Sequence, residues 1–177
     1  NQNIGRLPSS GYFRFPLTDQ AAASFCRETY IPIRDNQISY DTLFISSFGT
    51  IVDFNFKMES LIHTYDGDIS FSIKSPSGTE VELSNRRGSG GDNYINTVFD
   101  DSALVPISTG TAPFTGTFRP EGPLNVFNGT EIHGSWIFKV NDQASSDTGR
   151  VERYCLNIIY NAILAVNNNQ VPVKYEL

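Results

Sequence analysis

The chain lacks the run of about 18 apolar residues that a membrane-spanning helix needs, and its most apolar stretch, 158–166, is interrupted by Asn161. Charged residues make up only 18% of the chain, and 13 Lys and Arg against 19 Asp and Glu give a net charge of −6. Such an acidic chain does not offer the basic surface that phosphate groups require. The sequence therefore predicts no membrane span and no nucleic-acid partner.

Histidine is also scarce, and His63 and His133 lie far apart in the sequence. The chain contains no HExxH motif, no cysteine–histidine cluster and no G-x-S-x-G elbow, which argues against zinc and against a serine hydrolase. A triad would need a serine oxygen within reach of His63. His63 is instead interpreted as a strand-end histidine that bonds a neighbouring turn, and the chain is not expected to be an enzyme.

Cysteine occurs only twice, as Cys26 and Cys155. In an acidic, β-rich chain two cysteines most often pair, and a bond across so long a loop contributes about 4–5 kcal/mol in the loop-entropy model. Two free, buried thiols are the alternative. The chain begins Asn-Gln-Asn without Met, which indicates a mature or excised piece of a longer protein.

Phe and Tyr, by contrast, are plentiful, and large apolar residues alternate with polar ones along several segments. The period of two predicts many short strands, each with one apolar face. Two packed antiparallel sheets bury such faces, so the fold class is predicted as an all-β, antiparallel β-sandwich. The segments with this alternation are 52–58, 69–73, 80–83, 136–140 and 154–160.

Three regions are expected along the chain. Residues 1–24, with Pro8 and Pro16, are an N-terminal lead-in; residues 25–162 form the sandwich; and residues 163–177 are a linker and C-terminal tail. The first strand is expected at 31–33, with Cys26 just before it. Cys155 faces away from the apolar side of the last strand, so its partner is expected outside the core layer.

Aspartates gather in the predicted turns, where clustered carboxylates can hold calcium. Calcium takes 6–8 oxygen ligands at about 2.4 Å, and separate loops can converge to supply them. The alternative is that each aspartate caps its own turn. A further acidic loop, 142–147, is interpreted as a hairpin turn. The candidate calcium ligands are Asp66, Asp68, Asp92, Asp100 and Asp101.

Several ordered motifs carry a family resemblance. They are HTYDGDISFSIKSPSG at 63–78, GDN at 91–93, FDD at 99–101, TAPFTGTFRPEGPL at 111–124 and GSWIFKVND at 134–142. This set resembles the P domain, or Homo B domain, that follows the catalytic domain of kexin- and furin-like proprotein convertases and that many bacterial secreted proteins carry. The resemblance implies a jelly-roll-like sandwich that packs on a subtilisin-like serine endopeptidase domain, stabilises it and binds calcium at acidic loops.

The function expected from this resemblance is that of a non-catalytic, calcium-binding accessory module in a secreted or cell-surface multidomain protein involved in proteolysis. Its expected partner is an adjacent domain of the same polypeptide. The tail at 171–177, VPVKYEL, resembles the segment before a type IX secretion sorting domain, which implies export across an outer membrane. A plain linker is the alternative for that tail.

A second functional hypothesis is a cell-surface adhesin or carbohydrate-binding module, since jelly rolls commonly serve that purpose. It predicts an exposed aromatic strip on one sheet face or rim. The residues proposed for the strip are Tyr94, Phe114, Phe118 and Phe127.

Overall fold

The computed structural model describes residues 18–163, and within them the chain forms nine strands and three short 3-10 turns. The turns are Asp66–Asp68, Ile107–Thr109 and Leu124–Phe127. The strands are β1 Thr18–Ile33, β2 Ile38–Ile45, β3 Gly49–His63, β4 Ile69–Lys74, β5 Glu80–Asn85, β6 Tyr94–Phe99, β7 Phe114–Phe118, β8 Gly134–Asp142 and β9 Gly149–Ile163.

The strands form two sheets that pack face to face. The five-stranded sheet has the order β1-β9-β3-β6-β7, and the four-stranded sheet has the order β2-β8-β4-β5. The paired strands are antiparallel apart from β6 and β7, which run parallel. The all-β, antiparallel β-sandwich predicted from the sequence is thus confirmed as the fold class.

Aromatic side chains from the two sheets interlock in the core. Phe56 on β3 stacks on Phe138 on β8, with ring centroids 5.7 Å apart. Phe54 stacks on Trp136 at 4.9 Å, and the indole nitrogen of Trp136 donates to the carbonyl of Ile132 at 3.0 Å. These rings are fully buried, so the alternation along β3 and β8 faces the core as expected.

The alternation in β3 is interrupted near its start. A register shift between Ile51 and Asp53 inserts one extra residue against β9. As a result Ile51 is buried, whereas Val52, expected on the inward face, is exposed. The sequence pattern alone does not reveal this bulge because both residues are apolar.

The first strand begins earlier than the sequence pattern indicated. β1 starts at Thr18 rather than at Ile31, and Cys26 lies within it, so the last part of the expected lead-in belongs to the five-stranded sheet. Cys26 lies directly opposite Cys155 on β9, and the two form a disulfide across 129 positions of sequence. Because Cys155 is outside the core cluster, the disulfide lies on the outer side of the sheet as predicted.

Residues 1–17 and 164–177 lie outside the described part of the chain, and the tail interpreted as a secretion linker is among them. Among residues 18–163, no helix has the length and apolarity to cross a membrane.

Candidate functional site

One end of the sandwich gathers most of the chemically distinctive residues. His63 ends β3, Asp142 ends β8, and the turn Asp66–Asp68 connects β3 to β4. The Nε2 atom of His63 lies 3.3 Å from Oδ2 of Asp142, and both side chains are fully buried. The pair joins the two sheets, since β3 and β8 belong to different ones.

The second ring nitrogen of His63 is also engaged. Nδ1 lies 3.0 Å from the carbonyl oxygen of Tyr65, so the histidine bonds the turn that follows its strand, as interpreted from the sequence. The other carboxylate oxygen of Asp142 accepts a hydrogen bond from the backbone N–H of Ala144 at 3.0 Å. This geometry fixes the chain around the turn, with one ring nitrogen at a backbone carbonyl and the other at a carboxylate.

The Asp66–Asp68 turn docks on the glycine-rich loop at 88–93. The N–H of Asp66 donates to the carbonyl of Gly91, and the N–H of Gly67 donates to that of Ser89, both at 2.8 Å. A Cβ atom at Gly88 would lie 2.8 Å from the ring of Phe114 and 3.0 Å from Cβ of Asp66. The backbone approaches so closely that only glycine fits at position 88.

Asp66 is a buried carboxyl group, and only one of its two oxygens has a hydrogen-bond partner. Its Oδ1 accepts a hydrogen bond from the N–H of Asn93 at 3.0 Å, while Oδ2 is buried without a partner. Burial raises the pKa of Asp66 to about 7, the bond from Asn93 opposes that rise, and the nearby charge of Asp92 adds to it. A buried carboxylate that lacks a donor favours either a proton or a cation.

The other two candidates in this region differ in exposure. Asp68 is nearly buried, and its backbone carbonyl accepts from the N–H of Gln143 at 3.0 Å. Asp92, in the glycine-rich loop, is exposed to solvent. Asp66, Asp68 and Asp92 therefore lie on one turn and on the loop docked against it.

Asp100 and Asp101 serve as caps for backbone groups. Oδ1 of Asp100 accepts from the N–H of Ser102 at 2.7 Å. The two oxygens of Asp101 accept from the N–H groups of Leu124 and Asn125, at 2.9 and 2.8 Å, where the third 3-10 turn begins. This arrangement matches the alternative in which a turn aspartate satisfies local backbone donors.

The five aspartates do not surround a single ion. Asp92 precedes β6 and Asp100 follows it, and a strand of six residues separates them by about 20 Å. Calcium ligands lie about 2.4 Å from the ion, so these two groups cannot share one. Within residues 18–163, no three His, Cys, Asp or Glu side chains are placed to hold a metal together.

The aromatic strip proposed for the adhesin hypothesis is wrong. Tyr94, Phe114 and Phe127 are fully buried, and Phe118 is half-buried. Tyr94 stacks on Phe114 with centroids 4.4 Å apart, and its hydroxyl lies 2.9 Å from Oγ of Ser84. Tyr94 and Phe114 face the core because β6 and β7 pair at one side of the five-stranded sheet, a pairing that the sequence did not reveal. Phe127 enters the core from the third 3-10 turn and contacts Phe54.

Exposed aromatic residues occur elsewhere, at the edge of the four-stranded sheet. Phe44 on β2 and Phe48 in the following loop are 59% and 56% exposed. The ring of His133 stacks on Phe48 at 4.1 Å and meets Phe44 edge-on at 5.4 Å. We call Phe44, Phe48 and His133 the β2 aromatic patch. Sequence reasoning missed it, although Ile38, Tyr40 and Phe44 alternate along β2.

The outer face of the four-stranded sheet also carries a shallow polar groove of about 480 Å³. Within it, Oγ of Ser72 donates to Oε1 of Glu80 at 2.6 Å, and Nζ of Lys139 contacts the same oxygen. Lys139 and Ser72 lower the pKa of Glu80. Ser72, Glu80 and Lys139 thus satisfy one another within the groove.

Comparison with known proteins identifies the family. Residues 56–158 match the proprotein convertase P-domain family. The chain belongs to this family. The matched range runs from the middle of β3 into β9 and contains the Asp66–Asp68 turn, the glycine-rich loop and Asp142.

Relatives of this P domain are longer proteins. Calcium-dependent proteases of Trichormus variabilis and of a Nostoc species are each 26% identical to it over 167 residues, covering 87% of this chain and 22% of theirs. The crystal structure of a serine protease of Aeromonas sobria has a TM-score of 0.53 at 17% identity, over 84% of this chain and 28% of that one. The same protease in complex with its chaperone gives a TM-score of 0.54. The P domain thus spans about a fifth of the length of the curated relatives.

Proposed function

We propose that this P domain is a non-catalytic accessory domain of a longer, secreted protease with a subtilisin-like catalytic domain, and that it stabilises this neighbouring domain by packing against it. The observation that carries the proposal is the family match over 56–158 in a chain that spans only about a fifth of its protease relatives. The buried His63–Asp142 pair supports the non-catalytic role, because both ring nitrogens of this histidine are engaged in structural contacts, with Tyr65 and Asp142.

The proposed function includes a calcium site at the Asp66–Asp68 turn. Asp66, with its unpartnered buried oxygen, would be the central ligand, and Asp68 and Asp92 are the nearest further candidates. An ion there would hold the turn against the glycine-rich loop and neutralise a carboxylate that is costly to bury. The names of the two calcium-dependent relatives support the choice of metal. Asp100 and Asp101 lie too far away to share this ion. Their side chains accept hydrogen bonds from backbone N–H groups, which argues against a second calcium site there.

We propose a secreted or cell-surface location for the protein. The disulfide between Cys26 and Cys155 supports this, because such bonds form and persist in oxidising compartments. Export through the type IX pathway is proposed from the tail motif alone. Expression of the longer polypeptide with and without its part from residue 171 onward would test that route, since the truncated form is expected to stay inside the outer membrane.

The stabilising role can be tested by deleting residues 18–163 from the longer polypeptide. We expect the remaining protease to lose activity faster on heating than the intact polypeptide, while the isolated P domain hydrolyses no peptide substrate. An unchanged rate of thermal inactivation would refute the stabilising role, and peptide hydrolysis by the isolated domain would refute its non-catalytic character.

Calcium binding can be tested on the isolated chain by thermal unfolding with calcium and then with excess chelator. Calcium at about 100 times its dissociation constant adds roughly 2.7 kcal/mol to the free energy of unfolding. This raises the melting temperature by about 5–10 °C for a domain of this size. We expect Asp66→Asn to remove that shift and Asp101→Asn to retain it. An unchanged melting temperature in calcium would refute the calcium site and leave the accessory role to the deletion experiment.

A further inference from the structure

The β2 aromatic patch lies at the end of a row of exposed apolar side chains on the outer face of β2. β2 is the outermost strand of the four-stranded sheet, and its outward row continues from Phe44 to Tyr40 and Ile38, which are 61% and 51% exposed. The strand β1 of the other sheet lies alongside β2, where Arg27 pairs with Asp41 and the hydroxyl of Ser39 donates to the carbonyl of Pro32. The outward side chains of β2, rather than its backbone edge, therefore remain available for a contact.

The patch is held in a fixed geometry by the loops beneath it. Oε1 of Glu131 accepts hydrogen bonds from the N–H groups of Gly49 and Ile132, at 2.7 and 3.0 Å. This carboxylate therefore ties the loop that carries Phe48 to the segment that carries His133. A Cβ atom at position 49 would lie 2.5 Å from the carbonyl oxygen of Asn161, so glycine is needed there. Such preorganisation lowers the entropic cost of binding through the patch.

Both ends of the described chain leave the fold beside this patch. Thr18, the first residue of β1, is paired with Ile163, the last residue of β9. The N–H of Ile163 donates to the carbonyl oxygen of Phe48 at 3.3 Å. The 17 residues before Thr18 and the 14 after Ile163 are thus joined to the fold next to Phe48.

This position places the connections to any neighbouring domain beside the patch, because the chain leaves the fold at Thr18 and Ile163, next to Phe48. A domain joined by a short connection would therefore be held at a raised effective concentration near Phe44 and Phe48. Exposed apolar residues elsewhere, such as Leu104 in the loop after β6, have no comparable relation to the chain ends.

We propose that the β2 aromatic patch is the surface on which an apolar region of the neighbouring domain of the same polypeptide packs. This inference rests on the proposed function, because it names the contact surface of the accessory domain. The two phenylalanine rings supply apolar area that remains more than half exposed in the isolated domain. Aromatic side chains at the centre of an interface carry a large part of its binding energy.

Hydrogen exchange on the longer polypeptide and on the isolated 177-residue chain tests this assignment. We expect peptides that contain residues 44–48 and 131–133 to exchange at least about tenfold more slowly in the longer polypeptide, because an interface whose opening costs about 1.4 kcal/mol slows exchange beneath it by that factor. Phe44→Ser with Phe48→Ser is expected to abolish this protection. The matched control is Tyr30→Ser with Leu104→Ser, which replaces two exposed apolar residues away from the patch and is expected to retain it.

The possible results separate this inference from the proposed function. Protection on a different surface would overturn the patch assignment while leaving domain packing intact, and protection nowhere would overturn both. Dimerisation of the isolated chain that the Phe44/Phe48 variant abolishes would reassign the patch to a second copy. Retention on an insoluble polysaccharide that the same variant abolishes would reassign it to a glycan. The melting temperature of the isolated variant serves as the folding control, and it is expected to stay within a few degrees of the wild-type value because both rings are mainly exposed.

Discussion

The buried contact between Nε2 of His63 and Oδ2 of Asp142, 3.3 Å long, joins the last residue of β3 in one sheet to the last residue of β8 in the other. The pair closes the end of the sandwich at which the Asp66–Asp68 turn begins. The pair fixes the position from which the turn starts. Such a fixed start would hold the carboxylates of the turn in place if they bind an ion.

Removal of one member of this pair leaves the other buried without its partner. We expect His63→Ala to lower the free energy of unfolding by about 2–4 kcal/mol, since an unpaired buried polar group carries its full desolvation penalty. Asp142→Asn keeps an oxygen for the N–H of Ala144 and is expected to cost less. Urea unfolding of both variants measures the difference. Equal, small losses below about 0.5 kcal/mol would show that the contact does not stabilise the fold.

Asp66 makes stability depend on pH when calcium is absent. Its pKa is about 7 in the folded protein and about 3.9 in the unfolded chain. The folded state therefore holds a proton that the unfolded state releases, so this contribution is complete below about pH 4 and is lost as the pH rises to 7. We expect a loss of at most about 4 kcal/mol, because a tenfold difference in proton affinity between the two states corresponds to about 1.4 kcal/mol.

Asp66→Asn isolates this effect, since an amide keeps the acceptor for Asn93 but does not ionise. In chelator, the stability of the variant minus that of wild type is expected to increase between pH 4.5 and 7.5. Asp92→Asn removes only the nearby charge, which raises the pKa of Asp66 less than burial does, and it should change this dependence much less. Calcium is expected to flatten the wild-type curve, because a cation favours the ionised carboxylate. Parallel pH curves for wild type and Asp66→Asn would contradict the account.

Asp101 should stabilise the fold without calcium. Asp101→Ala removes the acceptor for two backbone N–H groups, of Leu124 and Asn125, and is expected to cost about 1–3 kcal/mol. Asp100→Ala, which removes one such bond, is expected to cost less. Both losses should be the same in calcium and in chelator when measured by thermal unfolding. A loss for Asp101→Ala that occurs only in calcium would instead assign this residue to an ion site.

The disulfide is expected to stabilise chiefly the edge strand β1. Cys26→Ser with Cys155→Ser opens a loop of 129 positions, for which the loop-entropy model gives about 5 kcal/mol as an upper value. Because β1 borders only β9 within its sheet, we expect hydrogen exchange to rise more in residues 21–28 than in β3. Equal increases in both strands would show that the bond stabilises the whole fold uniformly.

The sequence predicted those features that depend on alternation of large residues. Phe54, Phe56 and Phe138 lie in the core as expected, because a period of two leaves one sheet face apolar. The first part of β1 was not predicted. Its inward residues Ala21 and Ala23 are the same residue type as the outward Ala22, so hydrophobicity does not alternate there.

The candidate site was predictable only in part. Spacing marked all five aspartates as turn residues, yet it could not distinguish Asp66, with a buried free oxygen, from Asp101, whose oxygens both cap backbone N–H groups. That distinction depends on which distant loops dock on each turn. The burial of Tyr94 and Phe114 was missed for the same reason, because it follows from the parallel pairing of β6 with β7.

Calorimetry of the longer polypeptide tests the central claim most directly. If this P domain stabilises its neighbour by packing, the two domains unfold in one cooperative transition, at a temperature above that of the neighbour alone. Two separate transitions, at the temperatures of the isolated P domain and of the isolated neighbour, would contradict the account.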